Sequence, residues 1–305
     1  MKVSIIILTK NGQKYITSCI SKVIAQKFSY DFEVIVIDSG STDKTLDLIK
    51  GYPLKLHKIA AGDFSHSRTR NLAVTLAAGE YIVYLSQDAV PTDSNWLEHL
   101  VEPLIKDESV AAVFGRQVPN PGTNPVNSFR LQWIYGRKKL IKHKDSDLEF
   151  SRESFNFSDV NAVISKCLLT RFPFDESLNF CEDVYLAKQL ITSGYKIAYC
   201  PDAAVYHGHN HSLLEVFRRY FDIAVAYRKI GILEDTKKIE NEGAKYILEE
   251  LKYFLKNGYW LWIAYAAVNN FAKYLGFKMG CAEGYLPLIL KKRISKYWYK
   301  NVKKI

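Results

Sequence analysis

The sequence predicts an α/β fold, with a mainly parallel sheet over residues 1–211 followed by an all-helical region over 212–305. Three observations carry that reading. Short apolar runs alternate with amphipathic stretches through residues 1–100, the rhythm of βαβ units joined by right-handed crossovers. The run Tyr81-Ile-Val-Tyr-Leu85 is apolar without a break, as expected of a central strand covered on both faces. Beyond Ser212 the pattern is helical almost to the end, which sets a soft boundary near His211.

Taken in order, 3–8 is the first strand, and 13–26 is a helix with Tyr15, Ile16, Cys19, Ile20 and Val23 on one face. Residues 32–37 form a second strand ending at Asp38, and Ser41-Thr-Asp43-Lys44 caps a helix through Ile49 with its hydroxyl oxygens. A third strand at 54–59, a helix at 67–77 and a fourth strand at 80–85 follow. Asn120-Pro-Gly-Thr-Asn-Pro125 reads as a loop, and 136–157 is polar and weakly patterned, a candidate for a segment that closes over a ligand. Strands at 158–164 and 196–199 flank a helix at 182–193. A later helix from Tyr259 places Trp260, Ile263, Ala264, Ala267, Phe271 and Tyr274 on one face. Asn269, Asn270 and Lys273 fall on the other, so the helix is amphipathic rather than spanning, suited equally to a membrane surface or to packing on the catalytic domain.

Composition narrows the function classes. At 305 residues and 48% hydrophobic, the chain has material for one large core or two smaller ones. Its five cysteines (Cys19, Cys167, Cys181, Cys200, Cys281) are scattered and form no CxxC pair. That pattern suggests neither a disulfide framework nor a zinc knuckle, and it points to a reducing compartment. The apolar run at 3–8 is too short for a signal peptide and lacks a cleavage site, so it reads as a strand. No stretch of 18 apolar residues predicts a transmembrane helix. The net charge of +10 resides in the tail, where 252–305 holds eleven Lys and Arg against one acid, Glu283. Residues 1–251 balance at 31 basic and 31 acidic, which argues against nucleic acid along the main domain. Thirteen aromatic residues between Tyr253 and Tyr299 are mixed with those lysines, a composition suited to an anionic membrane interface.

Five places carry candidate chemistry. Asp88 closes the fourth strand, and ligands of open α/β sheets bind at the carboxyl ends of strands. A carboxylate there suits Mg²⁺ held against a diphosphate, or equally a cap on the helix toward Trp96. Asp38 ends the second strand, where it can accept from a base or ribose or serve as a turn residue. In Gly62-Asp63-Phe-Ser-His66-Ser-Arg68-Thr-Arg70-Asn71, two arginines offer guanidinium forks to a diphosphate, the alternative being an ion pair with Asp63. Glu182 and Asp183 open a helix, where negative charge is stabilising in itself, yet a carboxylate so placed can also take a proton from an attacking hydroxyl. His207, His209 and His211 alternate, and a loop need not converge all three, so one metal ligand among them is the expectation.

Together these motifs resemble the family 2 glycosyltransferases, which have the GT-A fold. Val3-Ser-Ile-Ile-Ile-Leu-Thr9-Lys-Asn11-Gly, Ile37-Asp38-Ser-Gly-Ser-Thr-Asp43, Phe174-Asp-Glu176, Glu182-Asp183 and Gly194-Tyr-Lys-Ile197 before His207 stand in family order. A closer resemblance, to bacterial rhamnosyltransferases, lies in Asp63 to Asn71, Ser86-Gln87-Asp88-Ala, Asp159-Val-Asn161, Phe217-Arg-Arg-Tyr-Phe221 and the tail to Trp298. Such enzymes move L-rhamnose from dTDP-β-L-rhamnose to a growing, often lipid-linked, surface polysaccharide.

The resemblance implies a role for each position. Thr9, Asn11, Asp38, Asp63, His66, Arg70 and Gln87 would surround the nucleotide sugar, and Asp88 and His207 would hold Mg²⁺ or Mn²⁺. Ser86 stands where the first acid of the family's DxD motif usually stands, so the metal would rest on fewer protein ligands. Asp183 would be the catalytic base with Glu182 in support, inverting the anomeric centre in one displacement. The implied partners are a dTDP-sugar donor and a glycan or lipid-linked glycan acceptor, met at the cytoplasmic face of the membrane. Two alternatives stay open: a UDP-hexose donor, or an inactive nucleotide-sugar-binding or basic interaction protein. The intact Glu182-Asp183 pair argues against lost activity.

Overall fold

The structure, a computed structural model, describes residues 2–144, 155–233 and 236–298. In chain order its elements are β1 (Lys2–Thr9), α1 (Ile16–Ile24), β2 (Asp31–Asp38), α2 (Thr45–Leu48), β3 (Lys55–Lys58), α3 (His66–Leu76) and β4 (Tyr81–Ser86). Next come β5 (Val90–Pro91), α4 (Trp96–Lys106), β6 (Val110–Val118), α5 (Pro125–Ile134), β7 (Leu140–Lys142), β8 (Asn161–Ser165), α6 (Lys166–Arg171), α7 (Glu182–Thr192) and β9 (Lys196–Tyr206). Four helices follow: α8 (Leu213–Lys229), α9 (Thr236–Lys256), α10 (Trp262–Cys281) and α11 (Leu288–Ile294). They divide into two compact units. The first comprises Met1–Asn120, Tyr135–Ser177 and Glu182–His207, and the second Pro121–Ile134, Leu178–Cys181 and Gly208–Ile305.

The first unit is built on a sheet ordered β3-β2-β1-β4-β8-β6-β9-β5, with β7 on the side of β9. From β3 to β4 every pairing is parallel. β8 then runs antiparallel to both β4 and β6, and β6 pairs β9 in parallel. The apolar runs explain the parallel half. Val3, Ile5 and Ile7 of β1 pack in one core with Ile16, Cys19, Ile20 and Val23, the α1 face expected from periodicity.

β6 has no counterpart among the strands read from the sequence, and β9 runs well beyond the expected 196–199. The two strands shift register between Gly115 and Arg116, which lets β9 continue past Pro201 where a regular ladder would stop. Gly115 is required there, since a Cβ would lie 2.1 Å from the Ala203 carbonyl and 2.3 Å from the Asn161 amide. Buried Asn161 locks the bulge by donating to Ala203 O (2.8 Å) and accepting from Trp96 Nε1 (2.9 Å). This irregular pairing sets where the end of β9 falls, and the site depends on it. Within the weakly patterned 136–157, β7 forms at 140–142, and residues 145–154 lie outside the described residues.

In the second unit Ser212 and Glu215 cap α8 reciprocally. Gly276 and Gly280 of α10 sit against the Phe217 and Phe221 carbonyls of α8, where added Cβ atoms would come within 2.3 and 2.4 Å. The polar face of α10 turns inward. Asn269 is buried, Asn270 donates to Glu250 (2.5 Å), and Lys273 donates to Asn270 (2.9 Å) and Tyr246 (3.2 Å). The opposite apolar face is open, with Phe271 63% and Val268 52% exposed. No helix among the described residues is long and apolar enough to cross a membrane.

Candidate active site

A cavity of about 250 Å³ opens where β1 and β4 end, lined by Thr9, Lys10, Ser39, Gln87 and Asp88 on one side and His66, Arg70, Tyr84 and Asp159 on the other. Its floor is built by cross-bracing. Thr9 Oγ1 and the Lys10 N–H both donate to Gln87 Oε1 (2.6 and 3.1 Å), and Gln87 Nε2 returns a bond to Lys10 O (3.2 Å). Asn11 holds a left-handed backbone (φ 49°), a conformation Asn tolerates better than most residues. Its Oδ1 accepts from the Thr42 N–H (2.8 Å) while Ser41 Oγ accepts from the Asn11 N–H (2.9 Å).

Asp38 accepts from the Gly40 and Ser41 N–H groups (3.0 Å each) and from the Ser41 hydroxyl. The expected capping by Ser41 and Thr42 is therefore corrected. α2 begins only at Thr45, whose N–H is accepted by Asp43 Oδ1 (2.9 Å) rather than by a hydroxyl, and the Ser41 and Thr42 groups tie the two loops instead. Asp63 is exposed and does not line the cavity. His66 stands at the start of α3 against Phe64, its ring centroid 5.0 Å away. Loss of water around that ring, with the Arg70 charge behind it, holds the imidazole below its usual range.

Arg70 is buried and faces two acids, neither of them Asp63. Its Nη1 donates to Glu182 Oε1 (2.6 Å), and Nη2 lies 2.8 Å from Asp159 Oδ2 as an ion pair. The guanidinium also lies over the Phe174 ring at 5.5 Å. Asn71 grips Phe174 from both sides, accepting its N–H (3.0 Å) and donating to its carbonyl (2.9 Å), which fixes the approach to α7. Cys181 immediately before α7 has φ 61°, and among the described residues it and Asn11 are the two non-glycine positions with positive φ. A non-glycine residue held in such backbone costs about 1–3 kcal/mol, a strain typical of functional turns.

Three carboxylates thus share one cation. Burial pushes Asp159 up to about 6, with Glu182 adding to the shift and Arg70 opposing it. Burial likewise drives Asp183 well above the ordinary carboxylate range, with Asp159 and Glu182 adding their repulsion and Arg70 counteracting.

The second constellation gathers at the ends of β4 and β9. Pairing of Val90 with Tyr206 and Pro91 with Val205 brings the turn holding Asp88 beside the exit of β9. His207 Nε2 stands 3.6 Å from Asp88 Oδ1. The His207 N–H donates to Val118 O (2.9 Å), and its Nδ1 contacts Gln117 Oε1 at 2.9 Å. A carboxylate oxygen beside an imidazole nitrogen, next to an open cavity, fits a divalent cation of the Mg²⁺ or Mn²⁺ kind. His209 and His211 belong to the second unit, where burial, then Arg219 and other nearby cations, push His211 down to about 4.

Of the residues expected around a nucleotide sugar, Thr9, His66, Arg70 and Gln87 line the cavity, as does Asp88. Asp38 and Asn11 brace its wall from behind. Sequence reasoning gave no role to Asp159, although its motif was visible, and it missed Gln117 altogether. One polar residue in an unrecognised strand carries no signal.

Residues 4–170 match the family described as Glycosyl transferase family 2. The chain is 34% identical to the O-antigen chain rhamnosyltransferase RfbN of Salmonella typhimurium, over 97% of this chain and 95% of that protein. It is also 34% identical to the O-antigen chain rhamnosyltransferase WbaN of Salmonella anatum, over 87% of this chain and 84% of that protein. Among solved structures, the mannosyltransferase PcManGT from Pyrobaculum calidifontis in complex with GDP-Man and Mn²⁺ is similar (TM-score 0.55, 18% identity, 96% of this chain, 76% of that one). So is S. aureus TarS 1–349 in complex with UDP-GlcNAc (TM-score 0.56, 20% identity, 84% of this chain, 73% of that one). The fold is therefore that of a GT-A glycosyltransferase, and the chain belongs to glycosyltransferase family 2. It is an enzyme of that class, as the order of its motifs implied.

Proposed function

We propose that the enzyme transfers L-rhamnose from dTDP-β-L-rhamnose, with inversion, to a hydroxyl of a lipid-linked surface-polysaccharide acceptor at the cytoplasmic face of the membrane. The near full-length likeness to two O-antigen chain rhamnosyltransferases supports the sugar and the acceptor class. The observation that carries the chemistry is Asp183, a partly buried carboxylate whose proton affinity is raised well above the ordinary carboxylate range, as suits a general base.

In this reading Asp183 takes the proton of the acceptor hydroxyl as its oxygen bonds to the anomeric carbon. The bond from that carbon to the diphosphate breaks on the opposite side, and the nucleoside diphosphate leaves with the bonding pair. Glu182 and Asp159 hold Arg70, and Arg70 moderates the repulsion that keeps Asp183 basic. This assigns Arg70 to the base rather than to the diphosphate, because both faces of its fork are already engaged. Thr9, Asn11, Asp38 and Gln87 shape the nucleotide pocket with His66, and Asp63 is left outside it. Asp88 and His207 would hold Mg²⁺ or Mn²⁺, which when bound supplies positive charge for the departing diphosphate.

Nucleoside diphosphate release from a panel of nucleotide sugars tests the donor. Turnover of dTDP-rhamnose well above UDP-hexoses is expected, abolished by EDTA and restored better by Mn²⁺ than by Mg²⁺, because an imidazole ligand favours the softer ion. Preferential turnover of a UDP-hexose would overturn the donor assignment.

Membrane contact would come from the second unit, through the open apolar face of α10 and the basic Lys292 and Arg293 of α11, Lys291 being paired with Glu283 (2.6 Å). Partition onto phosphatidylglycerol vesicles at low salt is expected to fall about tenfold in a Val268→Glu/Phe271→Glu variant, which removes apolar burial and adds repulsion. Equal sedimentation of both proteins with the vesicles would refute the contact.

A further inference from the structure

We propose that Gln117 is a positioning residue for the metal site: its amide oxygen holds the hydrogen of His207 Nδ1, so that Nε2 turns its lone pair toward the Asp88 carboxylate and a divalent cation. The inference rests on the reading of Asp88 and His207 as metal ligands.

Gln117 lies near the end of β6, buried at 4% exposure, on the strand that pairs with β9. Its side chain is held at three points. Nε2 donates to Tyr135 Oη (2.7 Å) and to Ser158 Oγ (3.0 Å), while Oε1 meets His207 Nδ1 at 2.9 Å. Tyr135 is itself fixed, since its backbone carbonyl accepts from Arg116 Nε (3.2 Å). The two hydroxyls can accept both amide hydrogens, which leaves the amide oxygen as the atom facing the ring.

An acceptor at Nδ1 selects the Nδ1–H tautomer, and an imidazole with that proton placed binds a metal through Nε2. The ring is further pinned by its own backbone, whose N–H donates to Val118 O at 2.9 Å. The consequence is an Nε2 aimed at Asp88 Oδ1, 3.6 Å away, before any cation arrives. With only one carboxylate at this turn and Ser86 in place of a second, preorientation of the histidine matters more than it would in a site with more protein ligands.

The test combines Mn²⁺ affinity, read by calorimetric titration and by water-proton relaxation, with ¹⁵N spectra of the His207 ring in metal-free protein at alkaline pH. The wild-type ring is expected to be mainly the Nδ1–H tautomer. Gln117→Leu should weaken Mn²⁺ binding about 10- to 100-fold, the usual effect of losing such a partner. Gln117→Glu, which keeps an acceptor at Nδ1, should restore most of that affinity. Saturating Mn²⁺ should return most of the kcat of Gln117→Leu, which a general loss of structure would not allow. A dominant Nε2–H tautomer in the wild type, or unchanged Mn²⁺ affinity in Gln117→Leu, would overturn the inference. The tautomer measurement needs no variant to fold. If Asp88→Ala and His207→Ala also bind Mn²⁺ like the wild type, the metal reading itself falls. If those two lose Mn²⁺ while Gln117→Leu keeps it, only the role of Gln117 falls.

Discussion

Replacing Asp183 by Asn is expected to lower kcat by about 10²–10⁴-fold, the usual contribution of a positioned general base, with donor binding little changed. The amide matches the carboxylate in shape and cannot take the acceptor proton. Near-wild-type turnover in the variant would remove the proposed mechanism. The pH profile carries the same argument further. A base works only when deprotonated, so kcat falls as pH drops through its pKa, and burial with the repulsion of Asp159 and Glu182 places that limb above the ordinary carboxylate range. Asp159→Asn removes the largest repulsive charge acting on Asp183, so the acidic limb should move to lower pH. An unmoved limb would mean that another group controls it.

Much of this arrangement was legible in the sequence because it is local. Asp38 stands directly after an apolar run and Asp88 three residues after one, and a parallel sheet places every such strand end on one edge. Glu182 and Asp183 were visible as an acidic helix start. What escaped was whatever depends on distant pairing. Arg70 and Glu182 are 112 residues apart, and nothing near Arg70 distinguishes its true partners from Asp63. β9 was truncated because Pro201 reads as a strand terminator, and only the bulge beside Gly115 shows why it is tolerated.

α10 is legible only in part. Helical spacing correctly grouped Phe271 with Tyr274 and Asn269 with Lys273, but spacing says which residues share a face, not which way that face points. Glu250 on α9 decides it, since an acid buried there needs the Asn270 amide and the Lys273 charge beside it.

Arg70→Met is expected to destabilise the first unit by about 3–5 kcal/mol, the cost of stripping the cation from a buried ion cluster. The loss should grow with pH. Near pH 5 Asp159, pushed up to about 6 in the wild type and higher still without Arg70, holds its proton, so less charge is left unpaired than at pH 8. By pH 8 the variant must either ionise carboxylates in a buried site or keep protons the unfolded chain would release, and both penalise the fold. Denaturation midpoints of the two proteins at pH 5 and 8 read this directly. A penalty equal at both pH values would mean that Arg70 acts by packing on Phe174 rather than by charge. The measurement also separates the two roles open to Arg70. A side chain reserved for the donor diphosphate would, on removal, weaken donor binding while leaving stability nearly intact. One that neutralises Asp159 and Glu182 must lower stability first, and with it the geometry that keeps Asp183 basic.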